Sequence, residues 1–326
     1  MNIGLDIGYS AVKAVTGDRR VTFPSAVGTP EKARFSLNGE TTIILLQPDH
    51  VQVGEGAIRQ SRFLHRREDR HWVESPEWYA LFLAALTELS TATAAELRIV
   101  TGLPVAFYAD RQVVRDRILG EHRVQREGRR FQRFTVTDCA VIPQPFGALL
   151  AACLDDRGRI ANPTLAAGAV GVIDVGGKTT NLLSVSRLTE ISPETDSVAV
   201  GAWDAVRAIR TWLADRYPGL EELRDHQVVD AIIERRVKYY GDPVDLKAIV
   251  DETLEPLADQ VVAAASQLWN GGATLDAILI TGGGGLLLGP YIARHFRHAR
   301  VVEDPVFANA LGYWRLAQRR AATAGQ

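Results

Sequence analysis

Two short stretches of this chain pair a strand-ending aspartate with glycine and a hydroxyl. The first reads Ile3-Gly4-Leu5-Asp6-Ile7-Gly8-Tyr9-Ser10 and runs on to Lys13. The second reads Gly171-Val172-Ile173-Asp174-Val175-Gly176-Gly177-Lys178-Thr179-Thr180. In each, an apolar run ends in Asp-x-Gly, small hydroxyl residues follow, and a second apolar run returns. Glycine lets backbone N–H groups approach an anion closely. The hydroxyls of Ser10, Thr179 and Thr180 can donate to the same anion, and Lys13 adds an ammonium on the returning strand. Magnesium takes oxygen ligands and releases its waters reluctantly, so strand-end carboxylates suit its hydration shell. The chemistry expected is a phosphate clamp in two halves that face each other across a cleft. Asp6 and Asp174 would order the ion's waters, and Gly8, Tyr9, Gly176 and Gly177 would lie along a nucleotide's phosphates.

Gly177-Lys178-Thr179 invites a second reading, the phosphate loop of the common NTPases. That loop needs a glycine five places before Gly-Lys-Thr. Val172 stands there instead, so the hairpin reading is preferred and Lys178 becomes a turn residue. A third element is Gly282-Gly283-Gly284-Gly285, which follows the apolar run Ile278-Leu279-Ile280. A glycine run at a strand end is either a plain loop or a backbone-lined bend for ribose, base or α-phosphate. Gln144, in Ile142-Pro143-Gln144-Pro145, can orient a water by accepting and donating hydrogen bonds, although it is no base at neutral pH. As an alternative it caps a turn. Glu234 and Lys238 are four apart and would share a face if their segment is helical, either as an ordinary ion pair or framing base and ribose.

The elements that must position these groups follow from apolar periodicity. Residues 2–14 read as strand, tight turn and strand, with a further strand at 20–23, a loop at 24–30, and short strands at 35–47 and 50–53. Residues 59–72 are basic and receive no assigned structure. Pro76 and Glu77 open a helix to residue 89, since proline and an acid favour the first turn. A strand follows at 97–103, a helix at 110–119, a basic hairpin around Glu127-Gly128, a strand at 135–142 and a helix at 145–154. Residues 155–169 form a loop. The second half opens with a strand-turn-strand at 169–185 and continues over 188–198. Helices are expected at 202–217, 224–239 and 247–270, then a strand at 277–281, a short helix over 290–296 and a closing helix at 305–320. The halves begin alike, which points to a duplicated α/β unit with ligands beyond the strand ends.

The chain has 326 residues, 46 % apolar and 23 % charged, with a formal net charge of −2. This composition suits a soluble globular protein of two domains, and the near-neutral balance argues against strong affinity for nucleic acid or anionic membrane. Cys139 and Cys153 are expected as buried thiols in a reducing compartment. No leader or bilayer-length apolar run is read, so the expected location is the cytoplasm. The basic run Arg59, Arg62, Arg66, Arg67 and Arg70 is a solvated face, a protein contact or a DNA-contacting patch; direct DNA contact is left open.

Taken together, these motifs resemble those of the actin-like ATPase superfamily, and most closely its plasmid-segregation ParM/StbA branch. Gly4 to Ser10 with Lys13 is similar to the first phosphate motif, and Asp174 to Asn181 to the second. Pro143-Gln144-Pro145-Phe146-Gly147-Ala148 resembles the first connecting segment, and Asn309-Ala310-Leu311-Gly312-Tyr313 the second. Thr281-Gly282-Gly283-Gly284 resembles the adenosine motif, and Thr101-Gly102-Leu103-Pro104-Val105 is typical of the ParM/StbA branch. The resemblance implies an α/β, actin-like, ribonuclease H-like duplicated fold around a nucleotide cleft. Its domains would span residues 1–150, with a small insert near 31–75, and 151–304, with 305–326 returning to the first domain. It further implies ATP or ADP with Mg2+ (GTP possible), catalysis by Gln144 with Asp6 and Asp174, and closure of Gly201 over the phosphates. Glu234 and Lys238 would flank the adenosine, which lies on Gly282, Gly283 and Gly284. It implies head-to-tail filaments that segregate a plasmid or other DNA through a DNA-binding adaptor, with no membrane partner. Two other functions fit the same fold: a small-molecule kinase, and a nucleotide-binding scaffold or regulator that forms no filament.

Overall fold

The computed structural model describes residues 1–31, 42–45, 50–65 and 70–324. The expected strand over 35–47 is met only at 42–45. Its flanks, with Arg66 and Arg67 of the basic run, lie outside the described residues. The chain divides into two compact units, one of residues 1–161 with 309–326, the other of residues 162–308.

The first unit is built on one ten-stranded sheet. Its strands are β1 (Asn2–Ile7), β2 (Ala11–Val15), β3 (Arg20–Pro24), β4 (Val27–Gly28), β5 (Thr42–Leu45), β6 (His50–Val53), β7 (Leu64–His65), β8 (Ala94–Leu103), β9 (Gly120–Arg126) and β10 (Gln132–Pro143). They run in the order β3-β2-β1-β8-β10-β9-β5-β6-β4-β7. β1 pairs antiparallel with β2 and parallel with β8, which pairs parallel with β10. Helices α1 (Glu55–Gln60), α2 (Pro76–Leu89), α3 (Arg111–Ile118) and α4 (Phe146–Cys153) join them. The Ser75 hydroxyl caps α2 by accepting from the Trp78 amide at 3.1 Å, and Pro76 takes the first helical position. Of α2 only Pro76, Glu77, Tyr79 and Glu88 escape full burial, so the helix forms the centre of the core rather than one side of it.

The second unit contains α5 (Pro163–Ala167), β11 (Ala169–Val175), β12 (Thr180–Ser186), β13 (Thr189–Glu190), β14 (Asp196–Val198), α6 (Ala202–Arg216), α7 (Asp225–Glu234), β15 (Arg236–Tyr239), β16 (Asp242–Asp245), α8 (Lys247–Leu268), β17 (Ala277–Thr281), α9 (Gly285–Ala293) and β18 (Ala299–Val301). Its main sheet runs β13-β12-β11-β17-β18, with β14 on β12. β11 pairs antiparallel with β12 and parallel with β17, which pairs parallel with β18. The run β2-β1-β8-β10 thus repeats as β12-β11-β17-β18: a hairpin, then two parallel neighbours.

The last helix, α10 (Ala308–Ala324), packs on the first unit from Asn309 onward. Backbone meets backbone there. A Cβ on Gly312 would stand 1.8 Å from the Gly147 carbonyl oxygen, and one on Gly4 2.0 Å from that of Ala310. Both cysteines are buried and unpaired, as expected. Burial, aided by nearby Asp138, pushes the Cys139 thiol up to about 12, and burial pushes Cys153 to about 11.

Five expectations need correction. The loop at 24–30 contains β4, and residues 59–72 end α1 and supply β7. The loop at 155–169 holds α5, whose first turn Asn162 caps by accepting from the Leu165 amide. The helix expected over 290–296 begins directly behind the glycines at 285 and stops at 293. The helix expected over 224–239 ends at Glu234. Arg235 turns left-handed at φ 55°, its guanidinium held by Asp251 and the Tyr291 hydroxyl, both at 2.7 Å. Residues 236–245 then form a hairpin whose turn residues, Tyr240 and Gly241, both have positive φ, as a two-residue β-turn requires.

Candidate functional site

In the first unit, Asp6 is the penultimate residue of β1 and only 3 % exposed. Register sets it opposite Lys13 on β2, whose ammonium lies 3.6 Å from one carboxylate oxygen. The Gln144 side-chain amide donates to the other oxygen at 3.2 Å. Gln144 is placed by the close of β10: its backbone amide donates to the Leu103 carbonyl at 2.7 Å, and its carbonyl accepts from the Tyr313 hydroxyl on α10 at 3.0 Å. Side chains from β2 and the β10–α4 turn therefore converge on one carboxylate. The β1–β2 turn closes through the Gly8 amide on the Ala11 carbonyl at 3.2 Å. Ser25 braces it from outside. Its hydroxyl donates to the Gly8 carbonyl at 2.5 Å, and its amide to the Ser10 carbonyl at 3.0 Å. Sequence reading missed Ser25, since a serine after a strand-ending proline carries no signal of its own. Tyr9 turns its ring toward Trp72, 6.0 Å between centroids, while the Ser10 side chain is exposed.

In the second unit, Asp174 is 2 % exposed and stands in register with Asn181 on β12 and Thr281 on β17. The β11–β12 turn closes through the Gly176 amide on the Thr179 carbonyl at 2.9 Å. Its far side is fastened to the start of α6, where the Ala202 and Trp203 amides donate to the Gly176 and Gly177 carbonyls at 3.0 and 2.8 Å. Gly201 makes that approach possible, for a Cβ there would lie 2.4 Å from the Gly177 carbonyl oxygen. The Asp204 carboxylate then accepts from the Gly201 amide at 2.9 Å. Thr180 is fully buried and donates its hydroxyl to the Val200 carbonyl at 2.8 Å, so that proton is committed within the protein.

The glycines after β17 close on the same strand end. Gly282 has φ +86°, and a Cβ there would sit 2.3 Å from the Val175 carbonyl oxygen and 2.4 Å from an Asp174 carboxylate oxygen. The Gly284 amide donates to the Val175 carbonyl at 2.9 Å, whereas nothing stands within 4 Å of a Cβ on exposed Gly283. Asp174, Gly176, Gly177, Thr179, Thr180, Gly201, Gly282, Gly283 and Gly284 thus gather at one end of this unit's sheet. Glu234 and Lys238 do not share a helical face. Glu234 ends α7 and pairs with Arg236 at 3.3 Å, and Lys238 lies on β15, both side chains exposed. The left-handed Arg235 between them explains the separation.

Comparison with known proteins finds an actin-like family model on each unit. The model described as the N-terminal domain of actin-like proteins matches residues 4–147, and that of the C-terminal domain of the archaeal actin homologue MreB-like matches residues 172–294. The crystal structure of Ta0583, an archaeal actin homolog, aligns over 98 % of this chain and 99 % of its own at 22 % identity, with a TM-score of 0.82. Its complex with ADP aligns over the same shares, again at 22 % identity, with a TM-score of 0.79. A 15-stranded ParM filament from Clostridium botulinum aligns over 98 % and 99 % at 23 % identity, with a TM-score of 0.78. Comparison with the curated proteins gives no match. With one family model on each unit and an α/β fold shared along nearly its whole length, the chain belongs to the actin-like superfamily.

Proposed function

We propose that this chain is a Mg2+-dependent ATPase whose nucleotide state drives assembly into filaments. The observation that carries the reading is the repeated half-site: each unit ends a core strand in a buried aspartate beside a glycine hairpin. Each hairpin is assigned to the phosphates of ATP. Lys13, Ser10 and Thr179 contribute side-chain donors, and Gly8, Gly176 and Gly177 lie along the phosphate oxygens. The donors beside these hairpins are carboxylate and hydroxyl oxygens, which fit a hard cation. When bound, Mg2+ neutralises phosphate charge.

Gln144 orients the attacking water. Its amide group donates to Asp6, which leaves the amide oxygen to accept a hydrogen bond from water. A glutamine cannot take that proton at neutral pH, so it positions the water rather than deprotonating it. Asp6 in turn fixes the glutamine rotamer. Gly282, Gly283 and Gly284 are assigned to the adenosine, as are Glu234 and Lys238 although they come from a helix end and a hairpin.

The proposed role is a dynamic filament that positions DNA, a plasmid being the favoured cargo, in the cytoplasm. A ParM filament among the similar structures supports self-association. A net charge of −2 favours contact with DNA through a separate DNA-binding adaptor. Among the described residues no helix is long and apolar enough to cross a membrane.

One experiment tests the reading: ATP-dependent pelleting with phosphate release followed in the same tube. Polymer and phosphate that both require Mg2+ are expected. A monomer at every concentration overturns the filament. Polymer without phosphate turns the chain into a scaffold, and GTP run in parallel sets the base preference.

A further inference from the structure

The near-neutral total charge conceals a division. The first unit carries 24 Lys and Arg against 19 Asp and Glu, a net of +5; the second carries 13 against 20, a net of −7. In each unit part of the excess surrounds an exposed aromatic residue. In the first it is the β9–β10 hairpin, where residues 120–133 hold five arginines and two glutamates. Phe131 lies at its turn, 51 % exposed, beside exposed Arg130 and Arg133. Arg123 and Arg133 both lean on Glu121, at 2.7 and 3.9 Å, so one acid serves two cations.

In the second unit it is the β15–β16 hairpin together with the chain before it: residues 217–245 hold seven Asp and Glu against four Lys and Arg, and Arg236 and Lys238 on the hairpin balance Asp242 and Asp245 there. Tyr240 at its tip is 90 % exposed and stacks edge-on with Tyr239, which stacks in turn on Tyr217. Exposed Asp242 sits opposite Tyr239 in the hairpin register. Glu221 lies close enough to Tyr239 to help raise its phenol pKa, an effect that burial of the ring leads, and exposed Glu222 follows it. Exposed Ile233 adds apolar area just before the hairpin.

Aromatic residues and arginine are the types enriched at protein interfaces and at their energetic centres. Here one patch is basic around a phenylalanine and the other acidic around a tyrosine. Two different complementary patches on one chain define a heterologous contact, which propagates unless its rotation closes. We infer that the arginine–Phe131 hairpin of one copy docks on Tyr240 and the acidic chain that leads into its hairpin on a second copy, and that opposite charge steers this contact in the assembly. The inference rests on the filament reading and names the surfaces that would build it.

Screening sets the first test. The Debye length falls from roughly 14 Å near 0.05 M salt to about 4 Å near 0.5 M, so the critical concentration for assembly should rise about tenfold across that range. The second test exchanges charge. Arg130→Glu with Arg133→Glu gives one variant; Glu222→Lys with Asp242→Lys gives another. Every site is exposed, so nucleotide affinity and melting temperature should stay at wild-type values. Each variant alone should need about tenfold more protein to assemble. An equimolar mixture should recover the wild-type critical concentration as an alternating copolymer, because each reversed patch then meets its complement on the other variant. Pairing inside one copy cannot produce that recovery. Wild-type assembly by either variant alone, or a mixture no better than its components, overturns the inference and leaves the filament intact. A wild-type chain that never assembles overturns the filament reading and this inference together.

Discussion

The two hairpins share a pattern and hold their aspartates by different means. Around Asp6 stand two side chains, Lys13 on one oxygen and Gln144 on the other. Around Asp174 the close neighbours include backbone, with Gly282 packed against the carboxylate and the turn's carbonyls fastened to the start of α6. The first half can therefore be altered chemically at small cost to the fold. The second is a clamp in which chemistry and folding share the same atoms. On the proposed reading, one half would serve water and charge and the other would serve as a rigid cradle.

Asp174→Ala is the most severe way to break this comparison. If Asp174 serves the phosphates and their cation, turnover should fall on the order of 10³-fold, about 4 kcal/mol of barrier. Phosphate release measured at saturating ATP gives the answer, and an unchanged rate would remove Asp174 from the site. Next come the paired glycines. Gly282→Ala meets a carbonyl oxygen, a carboxylate oxygen and a positive φ, and should cost roughly 3 kcal/mol in thermal or denaturant unfolding. Gly8→Ala meets the Ala11 carbonyl oxygen at 3.4 Å and the Lys13 ammonium at 3.8 Å, and should cost about 0.5 kcal/mol or less. Equal losses would show the halves to be built alike.

Much of this was legible in the sequence where local signals agree with tertiary need. Pro76 and Glu77 announce α2, and the helix runs to Leu89 as its apolar spacing requires. Both Asp-x-Gly hairpins, the strand before the glycines and the closing helix were readable for the same reason. The end of α7 was not. Arg235, Arg236, Val237 and Lys238 are tolerable in a helix, and what stops it is a guanidinium held by Asp251 and Tyr291, 16 and 56 residues away. Thr180 was misjudged in a similar way. Its hydroxyl looks available in the motif, and only the fold brings the Val200 carbonyl beneath it. Nor does a run of four glycines reveal that Gly282 bends while Gly285 already begins a helix.

The third test contrasts one side chain from each half. On the proposed reading, Gln144→Ala removes the group assigned to orient water and leaves both hairpins in place. Hydrolysis should slow on the order of 10²-fold with ATP affinity retained, read by single-turnover kinetics beside a binding titration. Thr180→Val keeps shape and deletes one buried hydrogen bond, leaving the Val200 carbonyl without that donor. It should cost about 1–2 kcal/mol of stability and change turnover little. If Thr180→Val instead slowed turnover as much as Gln144→Ala, the cradle and the chemistry would not be separable.

The smallest effect distinguishes the units by acid. His122, buried in the first unit, has a ring nitrogen facing the Ile118 carbonyl at 2.7 Å; a carbonyl only accepts, so that nitrogen donates. The other nitrogen then accepts from the Tyr79 hydroxyl at 3.0 Å, which fixes the neutral tautomer. Burial holds the imidazole below its ordinary pKa of 6.5, partly offset by the Ile118 hydrogen bond. Above that value His122 is neutral folded and unfolded, and its contribution to stability is fully present. As pH falls through 6.5 the unfolded chain takes the proton first, and stability is lost until the lower folded pKa is passed, by at most about 1.4 kcal/mol per pH unit. Thermal melts between about pH 7 and pH 5 should show this slope, and His122→Gln should flatten it, because glutamine can donate and accept without titrating. The group belongs to the first unit, so nucleotide-independent unfolding of that unit should carry the slope. A variant that tracks the wild type across the range would place the acid sensitivity elsewhere and remove this distinction between the two halves.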